Sequence, residues 1–264
     1  MKIDFLTAGE ALEYLEFNKL TTKNINHVRK ISLKTYNIGI HYSPQKTFTH
    51  YRRISSKLEL IDIWVTEDGH ILLASRGTHG IKAWLENGDL LPIIKNRMMD
   101  GFHDGYLSIK HTLRFAISYL LSTFWRRGIS PKFYLTGYSR GGAIIQIIRT
   151  ELPIFDNNSA IEIVKTVTFA SPMPFTKKGK YEYDIQDHEE GSSTFNVIND
   201  GDPVPLLPPI KFYRTGTFAK IGKANKFLKN IFGINAILYH TIAAYKKSLG
   251  QRGGDFFIGS YSSF

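Results

Sequence analysis

The chain has 264 residues, 42% of them apolar and 22% charged, a composition that supports a folded core and excludes disorder of the whole chain. It has no cysteine, so disulfides, thiolate nucleophiles and cysteine-ligated zinc or iron–sulfur sites are excluded. The formal net charge is +11, and nine cations with no acidic residue lie between residues 203 and 254. This basic tract indicates an anionic partner, either a lipid surface or a nucleic acid, unless it is a solvated lysine-rich face.

The N-terminal residues carry acidic side chains at Asp4, Glu10, Glu13 and Glu16 and no uninterrupted apolar stretch, so we expect no secretory signal peptide. No window approaches 18 apolar residues, so we expect no membrane-spanning helix either. The protein is expected to be soluble or peripheral on a membrane. The sequence fits either a cytoplasmic protein or one exported without a signal peptide. It does not predict the oligomeric state.

The periodicity of apolar residues predicts alternating strands and helices in one α/β domain over residues 1–264. Residues 4–36 are predicted to form two amphipathic helices within a helical extension, residues 1–57. Two paired strands follow at 58–66 and 71–75. The remaining elements are a long helix, a strand, a helix, two β-rich runs and a final helix, at 105–127, 132–136, 143–151, 161–170, 195–198 and 239–249. This order predicts a largely parallel central sheet flanked by helices.

The segment Lys132–Gly142 reads as a strand, the pattern Gly-x-Ser-x-Gly and a helix. A serine at such a strand-to-helix turn adopts a strained backbone conformation, and bulky side chains two residues away would collide there. Gly137 and Gly141 are the residues that this geometry demands around Ser139. The following helix directs its free N–H groups toward the turn, where a negative oxygen can be stabilised. Ser139 is therefore the candidate nucleophile.

A nucleophilic serine needs a base, and the base needs an orienting carboxylate, in the chain order Ser, acid, His for this kind of turn. His188 and His240 are the two histidines that follow Ser139. His188 lies in a charged stretch that reads as a solvated loop, whereas His240 follows an apolar run, so we favour His240. Asp200 and Asp202 both end the preceding strand, and we favour Asp202 because Pro203 stiffens the turn after it.

The sequence resembles the class 3 lipase family, which includes fungal triacylglycerol lipases and phospholipases A1. The resemblance extends over about residues 58–250 and depends on ordered blocks around the serine motif. These blocks are Ser75-Arg-Gly-Thr78 with Trp84 and Asp89 downstream, Asp100–Tyr106, Thr168–Pro172, Asn199–Pro208 and Tyr239–Tyr245.

The resemblance implies an α/β-hydrolase fold and hydrolysis of an acyl lipid, either a phospholipid or an acylglycerol. It implies that Ser139 is the nucleophile, Asp202 the orienting acid and His240 the base. The backbone N–H groups of Thr78 and Arg140 would form the oxyanion hole. No metal or organic cofactor is implied, and the sequence has no zinc-protease, EF-hand or P-loop motif.

Two residues beside the nucleophile depart from the family pattern, because Tyr138 and Arg140 replace its usual His and Leu. Arg140 could favour an anionic headgroup, or it could turn away and pair with an acidic side chain. Residues 79–99 correspond to the family's lid, and the alternative is that their apolar side chains complete the core.

Residues 218–232 combine an apolar face with a basic face at helical spacing, which is typical of a helix lying on an anionic membrane. The alternative is a docked helix with solvated lysines. The predicted membrane contacts are Lys220, Lys223, Lys226, Phe227, Lys229 and Phe232.

Four other functions share parts of these patterns. A protein with the same fold could bind a lipid surface without turnover, and a peptidase or a soluble-ester hydrolase could share the triad. The basic charge alone would also suit a nucleic-acid-binding protein. We expect no nucleic-acid partner, because the basic tract has no RNA-binding or zinc-finger pattern and coincides with an apolar face.

Overall fold

The computed structural model describes residues 6–22, 30–33, 46–77, 94–95, 98–155, 161–189, 193–208, 211–222 and 238–251. The helices are α1 (Ala8–Thr21), α2 (Asp100–Trp125), α3 (Arg140–Glu151), α4 (Lys177–Glu189) and α5 (Ile242–Gly250). The strands are β1 (Lys30–Leu33), β2 (Lys46–Ser55), β3 (Leu60–Val65), β4 (His70–Ser75), β5 (Ile94–Lys95), β6 (Met98–Met99), β7 (Lys132–Tyr138), β8 (Glu162–Phe169), β9 (Ser193–Asn199) and β10 (Thr217–Ile221). Among these helices, none is both long and apolar enough to cross a membrane.

Eight strands form one mixed sheet in the order β1-β2-β3-β4-β7-β8-β9-β10. The strands β1 to β4 pair antiparallel with one another. From β4 onward the strands β4, β7, β8, β9 and β10 are mutually parallel. The strands β5 and β6 form a separate two-stranded ladder. Since parallel strands end at the same edge, the loops after β4, β7 and β9 meet at one edge of the sheet.

Helices cover both faces of the sheet, as the alternating pattern predicts. The apolar side chains of α2 and α3 pack with one face, around Ile63, Leu135 and Ile145. Those of α1 and α5 pack with the other face, around Trp64 and Phe169. The sheet is therefore covered on both faces, which explains why side chains on both sides of β3 and β7 are buried.

Polar contacts attach α1 to the sheet. The helix begins after Thr7, whose hydroxyl accepts a hydrogen bond from the Glu10 N–H at 3.1 Å. The Asn18 amide donates to the Thr136 hydroxyl at 2.7 Å, and the buried Lys165 ammonium lies 2.8 Å from a Glu10 carboxylate oxygen. Because removing one partner of a buried pair costs about 3–5 kcal/mol, these contacts make α1 part of the folded unit.

The N-terminal prediction is wrong in its second half. Among the described residues of this segment the structure has one helix, α1, and then the strands β1 and β2, so the segment 1–57 is not simply a helical extension. The alternation in β2, where Phe48 is buried between exposed Thr47 and Thr49, is the strand signal in this region. The pairing of β2 with β3 then extends the sheet beyond the predicted hairpin.

Other boundaries also differ from prediction. The long helix begins at Asp100 rather than residue 105, and the last helix begins at Ile242 rather than residue 239. The stretch around His188 is a helix, α4, and not a loop. Residues 217–221 form a strand parallel to β9, so the helix predicted over 218–232 is wrong in its first part. Residues 223–232 lie outside the described ones.

Candidate active site

Ser139 occupies the turn between β7 and α3 with a left-handed backbone, φ 55° and ψ −130°. A side chain at Gly137 would place its Cβ 2.2 Å from the Gly141 carbonyl oxygen, and one at Gly141 would place it 2.4 Å from the Ser75 carbonyl oxygen. Both neighbours are backbone atoms that cannot rotate away. The close approach of β4, β7 and α3 therefore requires glycine at both positions and holds Ser139 at the tip of the turn.

The structure brings Ser139, His240 and Asp202 together from three separate loops. The His240 Nε2 atom lies 2.9 Å from Ser139 Oγ, and its Nδ1 atom lies 2.9 Å from each Asp202 carboxylate oxygen. All three residues are buried. It is Asp202, and not Asp200, that contacts His240. The arrangement can pass a proton from the serine hydroxyl to an imidazole that a carboxylate orients.

Asp202 receives two further hydrogen bonds. The Tyr245 hydroxyl donates to its Oδ2 at 2.7 Å, and the Val204 N–H donates to its Oδ1 at 3.0 Å. Burial, together with the nearby Asp202 charge, raises the pKa of Tyr245 well above its ordinary value. The phenol therefore stays protonated and keeps donating to the buried carboxylate. These bonds hold Asp202 in the orientation that faces His240.

The His240 backbone is fixed from the side of the nucleophile. The Tyr138 hydroxyl donates to the His240 carbonyl oxygen, and the two rings lie 5.4 Å apart. Burial raises the pKa of Tyr138 too, so this hydroxyl remains a donor. One residue upstream of the histidine, the Asn199 amide donates to the Tyr239 carbonyl at 3.0 Å. No sequence pattern predicts these roles of Tyr138 and Tyr245, because the contacts join segments that are distant along the chain.

The Arg140 side chain turns away from the nucleophile. Its Nε lies 2.6 Å from Glu59 Oε1, and its Nη2 donates to the Gly101 carbonyl oxygen at 2.8 Å. Its guanidinium also stacks over the Phe102 ring, 5.6 Å from the centroid. Of the two alternatives from the sequence, the structure has the pairing with an acidic side chain.

Several predicted site residues lie outside the described residues. They include Thr78, most of the 79–99 segment, and the tract residues Lys223, Lys226, Phe227, Lys229 and Phe232. Within 79–99 the structure describes only the β5–β6 ladder. Lys220 is exposed on β10. Within the described ranges, no group of three or more His, Asp or Glu side chains is placed to hold a metal ion.

Comparisons with known proteins identify the fold. The Rhizomucor miehei lipase in its propeptide complex is 17% identical with a TM-score of 0.63, and the match covers 83% of this chain and 70% of that one. A triacylglycerol lipase from Penicillium expansum is 13% identical with a TM-score of 0.59, covering 81% and 79%. Another triacylglycerol lipase, whose catalytic centre is formed by a serine protease triad, is 19% identical with a TM-score of 0.56, covering 67% of each chain. The fold is thus the mostly parallel α/β-hydrolase fold of fungal lipases.

No curated protein matches the chain by sequence. The sequence profile of the family described as "Lipase (class 3)" matches residues 72–212. This range is more than half of the chain, and it includes Ser139, Asp202, most of β4 and all of β7 to β9. The chain therefore belongs to the class 3 lipase family and is a lipase-type carboxylic ester hydrolase.

Proposed function

We propose that the protein is a serine hydrolase of acyl lipids, of the lipase or phospholipase A type, that acts at an anionic membrane surface with a Ser139–His240–Asp202 triad. The observation that supports this most is the unbroken row of contacts from Ser139 Oγ through both imidazole nitrogens to the buried carboxylate. A serine in a strained turn, bonded to an oriented imidazole, is the arrangement that activates a hydroxyl for attack on an ester.

In the first half of the reaction, Ser139 Oγ attacks the ester carbonyl carbon while His240 Nε2 takes the hydroxyl proton. Asp202 stays ionised and stabilises the imidazolium that forms. The negative oxygen of the tetrahedral intermediate accepts hydrogen bonds from the backbone N–H of Arg140, at the start of α3, and from that of Thr78. Collapse of the intermediate breaks the carbon–oxygen bond to the alcohol, which leaves with the proton from His240.

In the second half, His240 takes a proton from water, and the resulting hydroxide attacks the acyl-serine carbonyl. The second intermediate collapses to the free fatty acid and Ser139, whose hydroxyl regains its proton from His240. The proton that leaves the serine goes to the alcohol, and the proton that leaves the water goes to the serine. The reaction therefore needs no cofactor to supply or remove a proton.

The proposed membrane surface follows from the basic tract between residues 203 and 254 and from the exposed Lys220 side chain on β10. Each cation near an anionic leaflet adds about 1 kcal/mol of attraction, which salt screens. Hydrolysis of vesicles should therefore increase with the anionic lipid fraction and decrease with ionic strength. Equal rates on neutral and anionic vesicles would contradict this part of the proposal.

The deciding experiment is labelling with a fluorophosphonate probe, followed by peptide mapping. We expect one adduct on Ser139, none in Ser139→Ala, and an unchanged adduct in Ser122→Ala, where an exposed serine of α2 is removed. Product analysis on phospholipid and triacylglycerol substrates would then assign the lipid class. If no label forms even with vesicles or detergent present, the hydrolase proposal fails, and lipid binding without turnover is the alternative to test next.

A further inference from the structure

The longest helix, α2, exposes large apolar side chains on its outer side. The exposed fractions are 67% for Phe115, 54% for Tyr119, 42% for Leu107 and 36% for Trp125. At about 100° per residue these four positions fall within one third of the helix circumference, opposite the buried row that contains Leu113 and Leu120. We call the side formed by Leu107, Arg114, Phe115, Tyr119, Trp125 and Arg126 the α2 outer face.

The α2 outer face is also basic. The sequence from Gly105 to Thr150 contains no acidic residue. Arg114 and Arg126 are both exposed, and the remaining exposed positions of this face are mostly hydroxyl side chains such as Ser118 and Ser122. At the N-terminal end of the face, the exposed Lys57 and Leu58 adjoin it, because the Ser56 hydroxyl contacts the Ser108 hydroxyl at 2.8 Å. The face thus combines aromatic rings, small hydroxyls and cations, and one acidic side chain, the half-exposed Asp104, lies a turn before Leu107 at its N-terminal end.

From this combination we infer that the α2 outer face docks on an anionic lipid surface, with Phe115 and Tyr119 entering the headgroup region and Arg114 and Arg126 contacting lipid phosphates. A helix that lies in a lipid interface has this composition, and tyrosine and tryptophan are enriched at that depth. A second copy of the chain is a poor occupant, because it would bring a second set of cations against the first. The inference specifies a surface for the proposed membrane association. It rests on that part of the proposed function and not on the hydrolase activity.

The position of α2 links this face to the candidate active site. The helix begins at Asp100, and the Gly101 carbonyl accepts a hydrogen bond from Arg140, the residue after Ser139. Leu107 lies about 10 Å along the axis from that end, and Arg126 about 39 Å. A membrane on the α2 outer face would therefore lie beside the nucleophile at one end. The face is separate from Lys220, because α2 packs against β2, whereas β10 is the opposite edge strand of the sheet.

The test is sedimentation with vesicles of phosphatidylcholine alone or mixed with phosphatidylglycerol, in the Ser139→Ala background so that the lipid stays intact. We expect Arg114→Gln/Arg126→Gln to weaken binding to the mixed vesicles about 30-fold at low salt, at about fivefold per cation. Phe115→Gln/Tyr119→Gln should weaken it at least about tenfold through lost apolar burial. Glutamine suits a helix, and thermal unfolding checks that each variant folds.

Two matched control variants change equally exposed residues elsewhere. Lys177→Gln/Lys178→Gln removes the same net charge from α4, and Ile154→Gln/Tyr181→Gln removes apolar side chains that are 61% and 67% exposed. Both controls should stay within about threefold of the parent, because their side chains do not belong to the α2 outer face. Equal losses in the controls and the α2 variants would overturn the inference.

Two other results would also overturn it. One is vesicle binding that the α2 variants leave unchanged, and the other is binding to single-stranded RNA that falls with these variants while vesicle binding does not. Fluorophosphonate labelling of Ser139 without lipid, in the α2 variants with Ser139 retained, should equal that of the parent. Failure of α2 docking is therefore distinguishable from failure of the hydrolase proposal.

Discussion

The Glu59 carboxylate and the Arg140 guanidinium form a buried ion pair, 2.6 Å between Oε1 and Nε, directly beside the candidate nucleophile. Glu59 precedes β3 and Arg140 begins α3, while Arg140 also bonds the Gly101 carbonyl on α2. A Cβ at Gly105 would lie 2.3 Å from Glu59 Oε1, so α2 approaches the pair as closely as glycine allows. The pair thus joins three elements next to the backbone N–H that we propose for the oxyanion hole.

The first prediction concerns the strength of this coupling. Arg140→Leu, which restores the usual family residue, leaves the Glu59 carboxylate buried without its main cation and should cost about 3–5 kcal/mol of unfolding free energy. Glu59→Gln/Arg140→Leu removes both charges and should recover at least half of that loss. Urea unfolding of the two single variants and the double variant gives the interaction energy. Additive losses would show that the two side chains do not stabilise each other.

The second prediction concerns pH. Burial raises the pKa of the Glu59 carboxyl above its ordinary value of 4.5, although the nearby charges of Arg140 and Arg76 oppose the shift. Between the unfolded and the folded pKa the folded protein binds more protons, so stability must decrease as pH rises through that window. The unfolding free energy of the parent minus that of Glu59→Gln should therefore fall from pH 4.5 upward and then level off.

Urea unfolding at a series of pH values measures that difference directly. Glu162→Gln is the matched control, because the Glu162 side chain is 50% exposed and pairs with a half-exposed Lys132. Its difference curve should lack the decrease. A parent-minus-Glu59→Gln difference that rises with pH would show that Arg140 outweighs burial and lowers the pKa instead.

The sequence predicts the centre of this fold better than its edges. The turn at Ser139 is recognisable because Gly137 and Gly141 are a local requirement of one backbone conformation. The strand β10 cannot be recognised from the sequence in this way, because its apolar residues also fit a helical period. Only its pairing with β9 makes it a strand. In β2 the alternation around Phe48 is a local signal that favours a strand. The signal is weak, however, because basic and polar residues make up most of the rest of this strand.

The site shows the same division. The chain order of serine, acid and histidine is a property of the sequence, and the apolar run before His240 and Pro203 after Asp202 favour these two residues over His188 and Asp200 as partners of Ser139. The hydrogen bonds from Tyr138 and Tyr245 depend on how α5 packs against β7 and β9, which no local pattern encodes. Whether Arg140 faces a ligand or Glu59 likewise depends on the approach of β3 to α3.

The third prediction tests the close approach at the turn. In Gly137→Ala the new Cβ would lie 2.2 Å from the Gly141 carbonyl oxygen and 2.5 Å from its carbon. Since both are backbone atoms, the strand and the helix must separate, and we expect a loss of at least about 4 kcal/mol or a failure to fold. Gly250→Ala is the control, because nothing lies within 4 Å of that Cβ. Thermal unfolding of both variants measures the two losses of stability. A Gly137→Ala variant as stable as the parent would contradict the close approach at the turn.

The last prediction concerns Tyr245, whose hydroxyl donates to Asp202 Oδ2. Tyr245→Phe keeps the ring in the core and removes only this donor, while Val204 N–H still bonds the other carboxylate oxygen. A hydrogen bond to a charged group contributes about 1.5–3 kcal/mol, so stability should fall by about that amount. Because Asp202 orients His240, loosening it should lower kcat about tenfold with KM unchanged, a loss of about 1.4 kcal/mol in the transition state.

Tyr181→Phe is the matched control for this variant, since the same atom is removed from a side chain that is 67% exposed on α4. Its kcat and its unfolding free energy should equal those of the parent. Steady-state hydrolysis of a soluble short-chain ester separates kcat from KM without a lipid interface. If Tyr245→Phe loses stability but keeps its kcat, then Tyr245 supports the fold only, and the orientation of Asp202 depends on Val204 and His240 alone.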